Sequence, residues 1–138
     1  IIFICTGNSC RSQIAEGLFR SEAGEKFKVY SAGSHPSRLH PAAIKVMAEW
    51  GIDIQKQKSE KIDKYLNKGI NVVITVCDNA KSTCPNFPDG NIIIHWSIKD
   101  PFHGWNDNEE DLEPYRMARN EIKAKIKDLL QKDEIKNL

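Results

Sequence analysis

The sequence predicts a doubly wound α/β domain, and three observations carry that prediction. Short apolar runs rich in β-branched residues alternate with longer amphipathic segments. Residues 1–4, 72–76 and 92–94 are almost unbroken in apolar side chains, the pattern of parallel strands covered on both faces. No internal repeat, low-complexity tract or Pro/Gly/Ser-rich linker interrupts the alternation, so a single domain over 1–138 is expected. A chain of this length can bury a core without disulfides or metal.

Strands are placed at 1–4, 27–31, 72–77 and 91–95. The first helix spans 12–23, with Ile14, Ala15, Leu18 and Phe19 on its inner face and Gly24 ending it. A second begins at Pro41, a favoured first helical residue, and buries Ile44, Val46 or Met47, and Trp50 before Gly51. Ser59 followed by Ile62, Tyr65 and Leu66 predicts a short third helix. The last covers 109–131, with Leu112, Tyr115, Ile122, Ile126, Leu129 and Leu130 at helical spacing. Pro114 fits only its first turn, which delays the regular part.

Composition narrows the function classes. Hydrophobic residues make up 40% and charged residues 28%, as in an ordinary soluble domain, and the net charge of +1 argues against broad binding to nucleic acid or membrane. No apolar run approaches the roughly 20 residues that span a bilayer, and no signal segment is expected, although the chain begins inside an apparent strand. A cytoplasmic monomer is the expectation, in which four cysteines imply reactivity rather than structural bridges. The histidines His35, His40, His95 and His103 show no ligand spacing, and the cysteine spacings are not the short pairs of zinc sites.

Sheets of this type bind ligands beyond the carboxyl ends of their strands, where strand order reverses. Cys5, Cys77 and Asp100 lie at or just beyond predicted strand ends. The first opens the run Cys5-Thr6-Gly7-Asn8-Ser9-Cys10-Arg11-Ser12. A loop running into a helix start presents free backbone N–H groups and the positive end of the helix dipole. Gly7 permits a backbone conformation that a side chain hinders, and Asn8 tolerates positive φ. Arg11 can grip two oxygens of a tetrahedral anion through its planar fork. Residues 6–12 are therefore the predicted oxyanion-binding set, with Cys5 the nucleophile. Such surroundings bring a thiol from about 8.5 into the range of roughly 3.5–7.5, and Ser12 can donate to the sulfur. A lone cysteine ending a strand is more often simply buried; the full spacing argues otherwise here.

The run from Ile4 to Gln13, continued by Ile14-Ala15-Glu16-Gly17, resembles the thioredoxin-coupled arsenate reductases, which are built on the low-molecular-weight protein tyrosine phosphatase fold. Tyr30-Ser31-Ala32-Gly33, Cys77 with Cys84-Pro85, His95-Trp96 and Asp100-Pro101 extend the likeness over essentially the whole chain. The resemblance implies a four-stranded parallel sheet flanked by helices, arsenate as substrate, thioredoxin as electron donor and no bound cofactor. It also places Asp100 at the position of the phosphatase general acid.

Hydrolysis of a phosphate ester needs a thiolate, an anion cradle and an acid, roles that Cys5, Arg11 with its loop, and Asp100 would fill. It has no use for Cys77 and Cys84. Reduction needs a second thiol and an exit for the disulfide. Paired strands lie about 4.8 Å apart, so thiols at the ends of neighbouring strands can meet. Seven residues of helix rise about 10.5 Å, beyond the roughly 7 Å Cα limit of a disulfide, so joining Cys77 to Cys84 requires the polar segment 78–83 to fold back. With the family resemblance, this yields a relay: Cys5 attacks arsenate, Cys77 attacks Cys5 and releases arsenite, Cys84 attacks Cys77, and thioredoxin reduces the last disulfide.

Two further features bear on this reading. Some relatives bind potassium beside the loop; Asn8, Glu16 and Ser31 match that set, with Glu60 where Asp is usual, and the alternative is that Glu16 and Ser31 simply hydrogen-bond to the loop. Phe102-His103 after Asp100-Pro101 leans towards the phosphatase, whereas Gln13 and the cysteine pair lean towards the reductase. A non-enzymatic oxyanion sensor is the third possibility, and a thiol relay would be superfluous in it.

Overall fold

In the computed structural model, which describes residues 1–76, 87, 90 and 92–138, four strands form one parallel sheet. They are β1 (Ile2–Cys5), β2 (Tyr30–Gly33), β3 (Val72–Thr75) and β4 (Ile92–His95), in the spatial order β2-β1-β3-β4. Cys77, Cys84 and Asn91 lie outside the described residues. Ile2, Phe3 and Ile4 of β1 are fully buried at the sheet centre, as their unbroken apolar run requires. The chain steps from β1 to β2 on one side and then across to β3 on the other, so strand order reverses at the carboxyl ends of β1 and β3. There Val76 N–H donates to the Ile4 carbonyl (2.9 Å), holding the chain that leads to residue 77 beside the residue before Cys5.

Around the sheet lie α1 (Arg11–Ala23), α2 (Pro41–Ala48), α3 (Glu113–Leu130) and the short α4 (Asp133–Lys136). Helix α1 packs against β1, β2, α2 and α3 through Ile14, Ala15, Leu18 and Phe19, all buried. In α3 the apolar spacing works as expected: Tyr115, Ile122, Ile126 and Leu129 are buried and Leu130 half-buried. No helix among the described residues is long and apolar enough to cross a membrane.

Five expectations need correction. Strand β2 starts at Tyr30 rather than 27 and runs on to Gly33, because pairing from Ile2↔Tyr30 to Cys5↔Gly33 extends Ala32 and Gly33 despite their poor strand propensity. Phe27 instead meets Phe19 edge-on (5.5 Å). Helix α2 stops at Ala48, and a turn at Gly51 (φ 73°) takes Trp50 off the helical face. Trp50 is consequently exposed, with Arg119 and Lys123 over its ring at 3.9 and 4.6 Å. The short third helix is a 3₁₀ turn, Ile62–Tyr65. The last helix begins at Glu113, after a separate 3₁₀ turn at Glu109–Asp111, because the Pro114 ring excludes a preceding α-helical turn. Finally, β4 is an edge strand and Ile93 is 54% exposed, so its apolar run does not mark burial on both faces.

Candidate active site

Cys5 ends β1 and Arg11 starts α1, so residues 6–10 form the turn between buried strand and helix. The carbonyls of that turn are tied outwards. Thr6 O accepts from His35 N–H (2.9 Å), Gly7 O from Ser37 N–H (3.0 Å) and Ser9 O from His40 N–H (3.0 Å). Asn8 O accepts from Gln13 Nε2 (2.9 Å) and from Ser59 Oγ. In a planar peptide the N–H points opposite to the C=O, so the following amides turn inwards. One of them, Asn8 N–H, donates to Cys5 Sγ at 3.2 Å. Cys10, the N-cap residue of α1, makes no side-chain capping bond, which keeps the helix start available to an anion.

The left-handed conformation falls on Asn8 (φ 47°), while Gly7 has no positive φ. A Cβ on Gly7 would meet only Ser37 Oγ and Ser9 Oγ at 3.6 Å, so the expected need for glycine there is not a backbone requirement. Asn8 is fully buried and held on every side. Its Nδ2 donates to Ser12 Oγ (2.7 Å) and Ser31 Oγ (3.1 Å), and its Oδ1 accepts from Glu60 N–H (2.9 Å). Asn8 donates to Ser12 Oγ and leaves the Ser12 hydroxyl hydrogen available to a Cys5 thiolate 2.8 Å away. Two donors on one sulfur favour its thiolate. Cys10 is the contrast: burial pushes its thiol up to about 12, so it stays protonated.

Cys5, Thr6, Gly7, Ser9, Cys10 and Arg11 open into a cavity of about 280 Å³, which Asp100, Ser37, Phe102 and Trp105 complete. Arg11 does not point free into it. Its Nη1 donates to Ile98 O (2.9 Å) and its Nη2 lies 3.5 Å from Asp100 Oδ2, so the guanidinium links the anion turn to the Asp100 loop. Asp100 is largely exposed and its Oδ1 accepts from Phe102 N–H (3.0 Å). The structure thus brings together Cys5, Arg11, Ser12 and Asp100; Cys77 and Cys84 lie outside the described residues.

Sequence reading missed several supports. Gln13 bridges Asn8 to Lys58 O (3.0 Å), and Gln57 Nε2 donates back to Gln13 Oε1 (2.9 Å). Ser59 Oγ donates to the Asn8 carbonyl of the anion turn, and buried His40 packs against the aromatic wall. Gln13 was visible inside the motif; Ser59 and His40 carry no local signal.

The four residues considered for potassium do meet around Asn8. Ser31 Oγ donates to Glu16 Oε1 (2.7 Å), Glu16 Oε2 pairs with Arg20 (2.8 Å), and Glu60 Oε1 pairs with Lys64 (3.0 Å). Each carboxylate already has a cation of the chain, and Asn8 turns donors towards Ser12 and Ser31. This donor set does not fit a resident potassium ion and reads as hydrogen-bonded support for the loop. No group of three His, Cys, Asp or Glu suited to a metal occurs among the described residues. Exchanging sodium for potassium at constant ionic strength is expected to leave turnover unchanged; initial rates in the two salts check this.

The low molecular weight phosphotyrosine protein phosphatase family matches residues 1–137. The chain belongs to this family. Within it, an arsenate reductase of Halalkalibacterium halodurans is 42% identical over 127 residues, covering 92% of this chain and 91% of its own. A solved arsenate reductase in its oxidised state superposes with a TM-score of 0.79 at 34% identity over 94% of both chains. A thioredoxin-dependent arsenate reductase of Corynebacterium glutamicum superposes at 0.74 and 27% identity, over 98% of this chain and 60% of that one. The chain thus shares its fold with solved arsenate reductases.

Proposed function

We propose that this chain reduces arsenate to arsenite with three cysteines in series and thioredoxin as the final reductant. The observation that carries the reading is the Cys5 sulfur, held by Asn8 N–H and Ser12 Oγ at the floor of a cavity that Arg11 and Asp100 also line. Inward N–H groups and the start of α1 bind the tetrahedral anion, and Arg11 neutralises its charge. Cys5 Sγ forms a bond to arsenic while one oxygen leaves as water, its proton supplied through Asp100. Cys77 then attacks Cys5 Sγ. The sulfur–arsenic bond breaks with its electron pair going to arsenic, which leaves as arsenite, and a Cys5–Cys77 disulfide remains. Cys84 attacks Cys77, frees Cys5 and presents a Cys77–Cys84 disulfide to thioredoxin. The hydrogen bond from Val76 to Ile4 supports the first transfer, since it holds the chain leading to Cys77 beside the end of β1.

NADPH oxidation with arsenate, thioredoxin and thioredoxin reductase tests the reading, which predicts arsenate-dependent consumption. Cys84→Ser is expected to stop multiple turnover after one equivalent of arsenite, because the electrons reach Cys77 and have no exit; arsenite counted per enzyme checks this. A second reading, hydrolysis of aryl phosphates, is favoured by Phe102 and Trp105 on the cavity wall. Under that reading Cys84→Ser leaves aryl phosphate turnover intact and no NADPH is consumed.

A further inference from the structure

Residues 98–107, which include Asp100, contain neither helix nor strand, yet side chains from within and around them hold every third carbonyl. Arg11 Nη1 donates to Ile98 O (2.9 Å), His103 Nδ1 to Pro101 O (2.8 Å), His40 Nε2 to Gly104 O (2.8 Å) and Lys45 Nζ to Asp107 O (2.8 Å). The hydrogen bonds of the two histidines require opposite protonation states.

His40 is fully buried at the N-cap of α2, where its Nδ1 accepts from Ala42 N–H (3.0 Å). Nδ1 must therefore be unprotonated while Nε2 carries the hydrogen for Gly104 O, which defines the neutral ring. A proton on Nδ1 would face the Ala42 N–H and break the cap. His103 is the reverse. Its Nδ1 must donate to Pro101 O, and its Nε2 lies 3.3 Å from Asp111 Oδ1, so both bonds exist together only in the imidazolium.

We propose that His40, as a neutral imidazole, and His103, as an imidazolium, are positioning residues that hold the Asp100 loop against the anion turn. The proposal rests on the role given above to Asp100. The surroundings agree with these states. Around His40 stand Arg38 from its own segment, Asp107 and His103 from the loop, and the Tyr115 hydroxyl of α3 at 3.0 Å; desolvation dominates and pushes its pKa below the ordinary 6.5. His103 faces Asp111 and the Tyr115 ring (5.7 Å), and the Pro101 carbonyl, followed by Asp111, raises its pKa above 6.5. As pH falls past the lowered value His40 gains a proton and loses its cap. As pH rises past the raised value His103 loses a proton and one of its two ties. The loop is fully held only between them.

The test compares the whole protein with His103→Gln, which keeps an N–H donor at every pH and never carries charge. Near pH 6.5 the variant's kcat is expected to be about tenfold lower, the scale of one charge-assisted hydrogen bond, with KM for arsenate unchanged. The ratio of variant to wild type should rise towards one as wild-type His103 deprotonates. Histidine NMR titrations should place His40 below 6.5 and His103 above it, with His40→Asn assigning the first signal. A pH-independent kcat ratio, or the two histidines titrating in the opposite order, would overturn the proposal. Correct titrations in a protein without arsenate turnover would refute the reductase reading and still support the two protonation states, which are read from the rings themselves.

Discussion

Cys5→Ser abolishes arsenate reduction, a loss expected to be on the order of 10⁴-fold or more, the scale of removing a covalent nucleophile. The serine hydroxyl does not ionise under the two donors that favour a thiolate, and oxygen cannot pass a disulfide to Cys77. The anion cradle should survive, because the tied carbonyls of Thr6, Gly7, Asn8 and Ser9 do not involve the sulfur. Phosphate binding by calorimetry, measured beside turnover, separates the two effects. Retained binding with no turnover is the expected pair; residual reduction within tenfold of wild type would remove Cys5 from the chemistry.

Gly33→Ala is expected to lower kcat about 100-fold, the scale of a misplacement of about 1 Å at a reacting group. Gly33 pairs with Cys5 across β1 and β2, and its N–H donates to Glu60 O (2.9 Å). A Cβ there would stand 2.5 Å from Thr6 O and 3.0 Å from both Asn8 N and Asn8 Cβ. Those are backbone atoms and the foot of a buried side chain, so neither can swing away. The turn must move, and it carries both Asn8 N–H and the Asn8–Ser12–Cys5 chain of hydrogen bonds. Overpacking costs about 1–3 kcal/mol of stability, a few degrees in Tm. Kinetics with thermal unfolding check the expectation; a variant that loses stability and keeps kcat would show that the turn tolerates displacement.

The parts of the site that were legible in the sequence are those encoded locally. Cys5 through Ser12 form one strand-to-helix turn, and its chemistry follows from residue types eight positions apart or fewer. The supports are different in kind. Gln13 reaches Lys58 O, Ser59 reaches Asn8 O and His40 reaches Gly104 O, contacts separated by 45, 51 and 64 residues that no periodicity announces. Trp50 shows the same limit for the core. Its spacing suits the face of α2, but the turn at Gly51 ends that face early and leaves the ring to the Arg119 and Lys123 side chains. In β2, pairing with β1 outweighed the weak strand preference of Ala32-Gly33 and shifted the strand towards the site.

Peptide mass mapping of enzyme given one equivalent of arsenate without thioredoxin, then alkylated, examines the sulfur relay most directly. A three-thiol transfer predicts one internal disulfide joining residues 77 and 84, with Cys5 alkylated as a free thiol. Recovery of all three as free thiols, or of Cys5 oxidised while 77 and 84 stay reduced, would contradict it.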